Sequence, residues 1–329
     1  MLPNGPRVIV QPDDGVAPVR DFIASASRSL LVKQFTFTEG SLIAAVIDRA
    51  RAGVDVRVML NAARSGGDRA NDETFAALQA AGVAVQWANP SFYVTHEKSV
   101  VVDSAAALVA TFNLCEKYFT CTRDYGVVTT DPRHIAQIVD VFHADWNHHG
   151  WEPDADHGLL WSNSNSRRFM ARFIDGATHR LDVQHPKFVD AVILDHLAAA
   201  AGRGVRVHVL CGGRHGISDW DVLDTFASLR TLRRFGVKVH KQKNLRVHAK
   251  LLIVDDERAL VGSMNIDRSA FDLRRELGIT IADPAGVARL REVFGSDWES
   301  SHPYEPPDPL LPHTHHEDDF PHDPELMHE

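Results

Sequence analysis

The sequence predicts an α/β protein made of two homologous halves packed as a pseudo-dimer. Three observations carry that prediction. Strand-like and helix-like apolar patterns alternate along the chain, a long segment recurs once at a fixed offset, and the composition supports a sizeable core. The chain has 329 residues, of which 44% are hydrophobic and 24% charged, an ordinary globular composition. That length suggests about two domains.

The repeat sets the domain organisation. Thr95–Asp103 and Val247–Asp255 both read His-x-Lys-x-x-x-x-Asp, 152 residues apart. The same offset pairs Asn113 with Asn265, Arg123 with Arg275, Asp124 with Glu276, Gly126 with Gly278, and Asp145-Trp146 with Asp297-Trp298. A repeat this long is domain-sized rather than a solenoid unit. The expected division is residues 1–150, a linker over 151–165, a second half over 166–300 and a tail over 301–329. Gly150-Trp151-Glu152-Pro153 and Ser162-Asn163-Ser164-Asn165-Ser166 supply the linker chemistry.

Within the first half the elements follow in order. Leu30–Phe37 is apolar and partly β-branched, a strand. Ser41–Ala52 has helical spacing, with Leu42, Ile43, Val46 and Ile47 on one side. Val54–Leu60 alternates with period 2 and reads as a strand. Glu73–Ala81 is a helix that Gly82 stops. Val83–Trp87 is a further strand, and Val100–Val102 and Ala106–Ala110 read as a strand pair. Asp131-Pro132 opens a helix ending near His148, with proline at its first position. The second half repeats this order and closes with the helix from Asp283-Pro284 to Trp298. Such alternation implies a sheet covered on both faces.

Charge is unevenly placed. The formal net charge is −9, yet residues 301–329 hold eight acids and no Lys or Arg, which leaves about −1 for the rest. The tail also carries seven of 16 prolines and six of 19 histidines, a composition too poor in apolar groups to bury surface. It is expected to be disordered and solvated, although His313, His315 and His316 are capable of metal binding. From Arg230 to Lys250 there are eight bases and no acid. That run reads either as a solvated face or as a positive rim beside an anionic substrate.

Three cysteines, Cys115, Cys121 and Cys211, show no metal-ligand spacing and fit a reducing cytoplasm. No signal-peptide pattern opens the sequence and no apolar run is long enough for a transmembrane helix. Gly212-Gly213-Arg214-His215-Gly216 follows a strand but lacks the P-loop Lys-Ser/Thr, so no nucleotide cradle is expected.

The paired motifs carry the chemistry. On a strand, period 2 puts His96 and Lys98 on one face and Glu97 on the other, and likewise His248 and Lys250 against Ala249. If the halves pack about a pseudo-two-fold, two imidazoles and two ammonium groups converge on one cleft. That set suits a phosphodiester. Lysines and asparagine amides hold the nonbridging oxygens. One histidine attacks phosphorus, and the other protonates the departing oxygen and then deprotonates water or an alcohol. A carboxylate at the far ring nitrogen orients such a histidine, and Asp124 and Glu276 are the candidates. Asp103 and Asp255 fall on the opposite face and are expected to anchor the motif strand. Phe92, Tyr93, Phe188 and Trp220 sit in loops expected to face the cleft. Chance predicts about 0.04 such motifs in a chain of this composition, so two in equivalent contexts are not accidental.

With His96-x-Lys98-x4-Asp103, His248-x-Lys250-x4-Asp255, Gly262-Ser263-Met264-Asn265 and Arg275-Glu276-Leu277-Gly278, the chain resembles a two-motif member of the phospholipase D superfamily over roughly residues 8–300. The resemblance implies an α-β-α sandwich with a mixed sheet in each half, and one active site at their pseudo-two-fold interface. It implies a phosphohistidine intermediate with no cofactor and no metal. By analogy His96 is the nucleophile and His248 the acid/base. The stretch Gly262–Ser269 resembles cardiolipin synthases, which implies a phosphodiesterase or phosphatidyltransferase acting on phospholipid, with peripheral membrane contact.

Two departures from the family pattern stand in the first half. Ala110-Thr111-Phe112-Asn113 replaces Gly-Ser-x-Asn, so Thr111, Ser263, Asn113 and Asn265 form the expected phosphate-binding set. Asp124 replaces Glu, with shorter reach toward His96. Two other functions compete. A metal-independent nuclease would take nucleic acid as substrate; the near-neutral body weighs against it and the Arg230–Lys250 run for it. A catalytically degenerate binding protein is disfavoured by two intact His/Lys pairs.

Overall fold

A computed structural model describes residues 7–64, 67–214, 217 and 219–308. His215 and Gly216 of the glycine-rich run, the side chain of Trp220, and the tail from residue 309, with His313, His315 and His316, lie outside the described residues.

The first half runs β1 (Arg7–Gln11), α1 (Ala17–Ala24), β2 (Ser29–Gln34), α2 (Gly40–Arg51), β3 (Asp55–Leu60), α3 (Asp72–Ala80), β4 (Ala84–Trp87), β5 (Ser99–Val102), β6 (Ala106–Ala110), β7 (Thr122–Thr129) and α4 (Pro132–Trp146). The second runs β8 (Leu159–Trp161), α5 (Ser166–Asp175), β9 (Arg180–Gln184), α6 (Ala191–Gly202), β10 (Arg206–Cys211), α7 (Asp219–Arg234), β11 (Lys238–Lys241), β12 (Arg246–Val247), β13 (Leu251–Val254), β14 (Arg258–Gly262), α8 (Arg268–Asp272), β15 (Leu277–Ile281), α9 (Pro284–Ser300) and β16 (His302–Pro303).

Each half forms one mixed sheet. The strand order is β1-β7-β6-β5-β2-β3-β4 in the first and β16-β11-β10-β9-β13-β14-β15-β8 in the second. The crossover strands β2, β3 and β4 are parallel, as are β9, β10 and β11; β12 joins the first sheet in parallel beside β7, and the remaining ladders are antiparallel. One apolar cluster packs the outer helices onto the first sheet, with Ile23, Val46 and Leu78 buried against Val32 and Val58. A second does the same for the other sheet. A third cluster is shared. Val109, Val127, Val141 and Phe142 of the first half pack with Ala249, Val261, Leu290 and Phe294 of the second. The halves are thus fused through a common core bordered by α4 and α9. Both helices start alike, on an aspartate cap followed by proline: Asp131 accepts from Arg133 N at 2.9 Å and Asp283 from Gly286 N at 2.8 Å.

Two expectations need correction. Leu159–Trp161, inside the stretch read as a linker, is an edge strand antiparallel to β15. It mirrors β1 beside β7, and Trp161 is fully buried in the shared core. The tail does not leave the body at residue 301, because β16 extends the sheet beside β11 and Tyr304 is buried. The apolar ring of Tyr304 supplies what the surrounding acids lack. Two of the eight bases in the basic run are paired, Arg230 with Asp308 and Arg233 with Glu305 of that same segment, while Arg234, Lys238 and Lys243 are exposed.

Candidate active site

Neither His-x-Lys triplet lies in a ladder of its own sheet. Each is extended backbone just ahead of its strand, β5 or β13, and each docks on the other half. Val247 pairs with Arg123, and Thr95 pairs in parallel with Arg275. The next residue continues the contact. His96 N donates to Arg275 O at 2.9 Å, and His248 N donates to Arg123 O at 3.2 Å. The residue after each arginine is the catalytic carboxylate candidate.

This docking crosses the acids over. His96 Nδ1 lies 3.0 and 2.9 Å from the two oxygens of Glu276, and His248 Nδ1 lies 2.6 Å from Asp124 Oδ1. The expectation that Asp124 serves His96 within its own half is therefore corrected: each carboxylate orients the histidine of the opposite half. The arginines alternate outward and brace the same junction. Arg123 Nε and Nη2 meet Asp297 at 2.8 and 3.0 Å, and Arg275 Nη2 meets Asp145 at 2.9 Å.

Both motif faces converge as period 2 requires. Lys98 Nζ donates to His96 O at 2.7 Å, and Lys250 Nζ contacts His248 O and His248 Nε2, each at 2.8 Å. His96 Nε2 is buried with no hydrogen-bond partner. The ring packs edge-on to Phe35, with centroids 4.7 Å apart, and His248 packs at the same centroid distance against Tyr118. Glu97 points away, to a buried pair with Lys33 at 3.0 Å, and Lys33 also meets Asp145 at 2.8 Å.

Burial sets the protonation states. Burial, then the charges of Lys98, Arg274 and Lys250, hold the His96 ring well below the ordinary imidazole value. Burial takes His248 down to about 3, with Asp124 opposing and Lys250 assisting. Burial and neighbouring Lys98 depress Lys250. Glu276 is pushed up to about 7 by burial, against Lys98 and Arg274. Asp124 stays below its ordinary value despite burial, because His248 and Lys250 face it. Both rings are neutral at pH 7, the form a nucleophile requires.

The remaining candidates divide. Asn113 and Asn265 are buried in the turns after β6 and β14, and Asn265 Oδ1 has no partner. The hydroxyls of Thr111 and Ser263 have partners within the fold. The Thr111 hydroxyl donates to Asp124 Oδ1 and accepts from Tyr125 N; the Ser263 hydroxyl spans Leu277 N and O. A hydroxyl has one proton; that of Thr111 goes to Asp124, while Ser263 lies within reach of both Leu277 O and the Glu276 carboxylate. Both residues position the acid-bearing strand. Gly262 lies opposite Gly278, where a Cβ on Gly262 would come within 2.6 Å of Gly278 Cα, so β14 and β15 close tightly behind Ser263. Asp103 and Asp255 end β5 and β13 in left-handed turns. Asp103 accepts from Ser27, Arg28 and Ser29 N, and Asp255 from Thr178, His179 and Arg180 N. They anchor the approach to β2 and β9. Phe188 is core, not cleft. Phe92 lies under the Arg275 guanidinium at 4.1 Å, and Tyr93 is 61% exposed.

Sequence reasoning passed over Lys33 and Arg274. A lysine inside the apolar run Leu30–Phe37 was the signal for the first, and a cation at the repeat position held by Thr122 was the signal for the second.

Among the described residues no helix is long and apolar enough to cross a membrane. The family described as cardiolipin synthase, PLD-like domain, matches residues 19–146 and 170–298. The major cardiolipin synthase ClsA of Bacillus subtilis (strain 168) is 27% identical over 291 residues, covering 77% of this chain and 59% of that protein. Cardiolipin synthase 2 of Staphylococcus epidermidis is 29% identical over 238 residues, covering 63% of this chain and 48% of its own length. The chain thus spans about half the length of these curated relatives. Among solved structures, phosphatidylserine synthase of Haemophilus influenzae Rd KW20 superimposes with a TM-score of 0.71 at 13% identity, over 91% of this chain and 87% of that one. Polyphosphate kinase of Porphyromonas gingivalis gives 0.72 at 16% identity, over 89% of this chain and 47% of that one. Both share the fold. The chain belongs to the phospholipase D superfamily, within the family of cardiolipin synthase PLD-like domains.

Proposed function

We propose that the protein is a phosphatidyltransferase or phosphodiesterase that cleaves phospholipid phosphodiesters through a covalent phosphohistidine, without a metal. The observation that carries this reading is the crossed pairing of two neutral histidines with carboxylates of opposite halves, flanked by Lys98 and Lys250. His96 Nε2 attacks phosphorus while Glu276 holds Nδ1–H and stabilises the imidazolium that forms. The P–O bond to the leaving alcohol breaks, and His248 delivers a proton to that oxygen. The bound phosphate supplies the negative charge that lets His248 take up this proton beside two lysines. His248 then removes a proton from an incoming alcohol or water, which displaces His96. Lys98, Lys250, Asn113 and Asn265 hold the nonbridging oxygens as charge builds.

A lipid substrate is favoured by the mouth of the site. The segments Tyr93–His96 and Leu273–Glu276 run side by side, joined by Tyr93 N to Leu273 O at 2.9 Å. Their outer ends, Tyr93 and Leu273, are 61% and 53% exposed, while their inner ends, His96 and Glu276, are fully buried. Two exposed apolar side chains on the segments that lead to the buried histidine and carboxylate suit a phosphate carrying acyl chains, and the matching cardiolipin synthases support the same reading. The test is one EDTA-containing assay on phosphatidylglycerol, phosphatidylcholine, single-stranded DNA and double-stranded DNA. Turnover of lipid is expected. Cleavage of DNA alone would replace this reading with a nuclease.

A further inference from the structure

Arg274 is one residue inside the exposed Leu273 and two before Glu276. It is 5% exposed, its Nε is buried without a partner, and its guanidinium makes no hydrogen bond or ion pair among the described residues. The neighbours do otherwise. Arg275 is held by Asp145, and Lys187 by Asp221 and Asp267. At the repeat position of Arg274 the first half has Thr122, whose hydroxyl buttresses Asp124 at 2.6 Å. Only Nε is both buried and without a partner, so the Nη end is not fully enclosed, and among the described residues no bond takes its donors. Its main chain is fixed, however, because Ser162 Oγ donates to Arg274 O and accepts from Glu276 N. Arg274 is a bend residue between α8 and β15, and while Arg275 turns outward to Asp145 the shared Ser162 hydroxyl holds the Arg274 main chain against that of Glu276. Its charge acts on His96, Glu276 and Asp267.

We propose that Arg274 is a substrate-binding residue whose guanidinium takes a nonbridging oxygen of the reacting phosphodiester on the His96 side of the cleft. The assignment rests on the phosphodiester reading above. The planar fork of Arg suits two phosphoryl oxygens at once. It makes the two halves unequal, since the His248 side has Thr122 in its place, and so favours attack by His96.

The test uses the full chain, inorganic phosphate as probe, and the variants Arg274→Met and Arg274→Lys. Arg274→Met is expected to weaken phosphate binding at least tenfold, to lower kcat/KM on bis(4-nitrophenyl) phosphate by a similar factor, and to leave the ligand-free thermal midpoint equal or raised. Arg274→Lys should fall between. A structural role predicts the opposite sign for the midpoint. Phosphate affinity unchanged in Arg274→Met, no phosphate binding by the unmodified chain, or a lowered midpoint in both variants overturns the proposal. Arg274-dependent phosphate binding without any turnover would sink the phosphodiesterase reading and leave this one standing.

Discussion

Asp124 of the first half lies 2.6 Å from Nδ1 of His248 in the second. The bond exists because Val247 and His248 dock on the backbone of Arg123, which puts the next side chain under the ring. Glu276 reaches His96 by the mirrored route. Each motif histidine takes its carboxylate from the other half, so both crossed pairs need both halves.

Asp124→Asn should leave the chain folded and lower kcat by about two to four orders of magnitude, the range seen when a histidine loses its orienting carboxylate. Turnover of bis(4-nitrophenyl) phosphate in EDTA checks it. A loss below tenfold would mean that His248 needs no partner.

Thr111→Val tests whether that hydroxyl serves the acid or the substrate. Because Thr111 donates to Asp124, kcat should fall about tenfold with little change in KM. A rise in KM at constant kcat would restore Thr111 as a phosphate ligand.

The two halves differ at the buried Lys33–Glu97 ion pair. Sheet register sets Lys33 where the second half has Gln184, and the motif sets Glu97 where it has Ala249. Lys33→Gln alone strands the Glu97 carboxylate and should cost about 3–5 kcal/mol. Adding Glu97→Ala copies the second half and should recover about 2 kcal/mol or more in urea unfolding. Additive losses would refute this compensation.

Much of this was readable from residues alone. The offset of 152 aligned both motifs, both asparagines, both arginines and both acids, and so revealed the two halves. Alternation along His96-Glu97-Lys98 separated site from scaffold. The crossing of Asp124 and Glu276 was not readable, because a repeat says which residues are equivalent and not which copy they touch. Leu159–Trp161 was too short to register as a strand, and Tyr304 is one apolar ring among acids. Thr111 carries a hydroxyl suited to phosphate, and only three-dimensional geometry reveals that its proton is already given to Asp124.

Stability should depend on pH with a definite sign. His248 and His185 are held down to about 3 by burial, and His96 well below its ordinary value. As pH falls below about 6.5 the unfolded chain protonates these three rings and the folded chain does not, so their contribution is lost on acidification. Glu276, raised to about 7, works against them: it keeps a proton in the folded state between roughly 4.5 and 7, and that contribution fades as pH rises. From these four groups, unfolding at pH 5 should take up about two protons. Urea midpoints measured from pH 7 to 5 should drop accordingly, and His185→Gln, which copies Gln34 of the first half, should halve the slope. A flat profile would mean that the rings are protonated in the fold.

In the proposed mechanism two histidines from different halves share one phosphorus atom, with His96 attacking. Rapid quenching of the His248→Ala chain with an activated aryl phosphodiester, whose leaving group needs no proton, tests it most directly. The expected product is one acid-labile, base-stable phosphoryl adduct per chain, located on His96 by mass spectrometry. An adduct on a serine or threonine, or none on any histidine, would contradict the account.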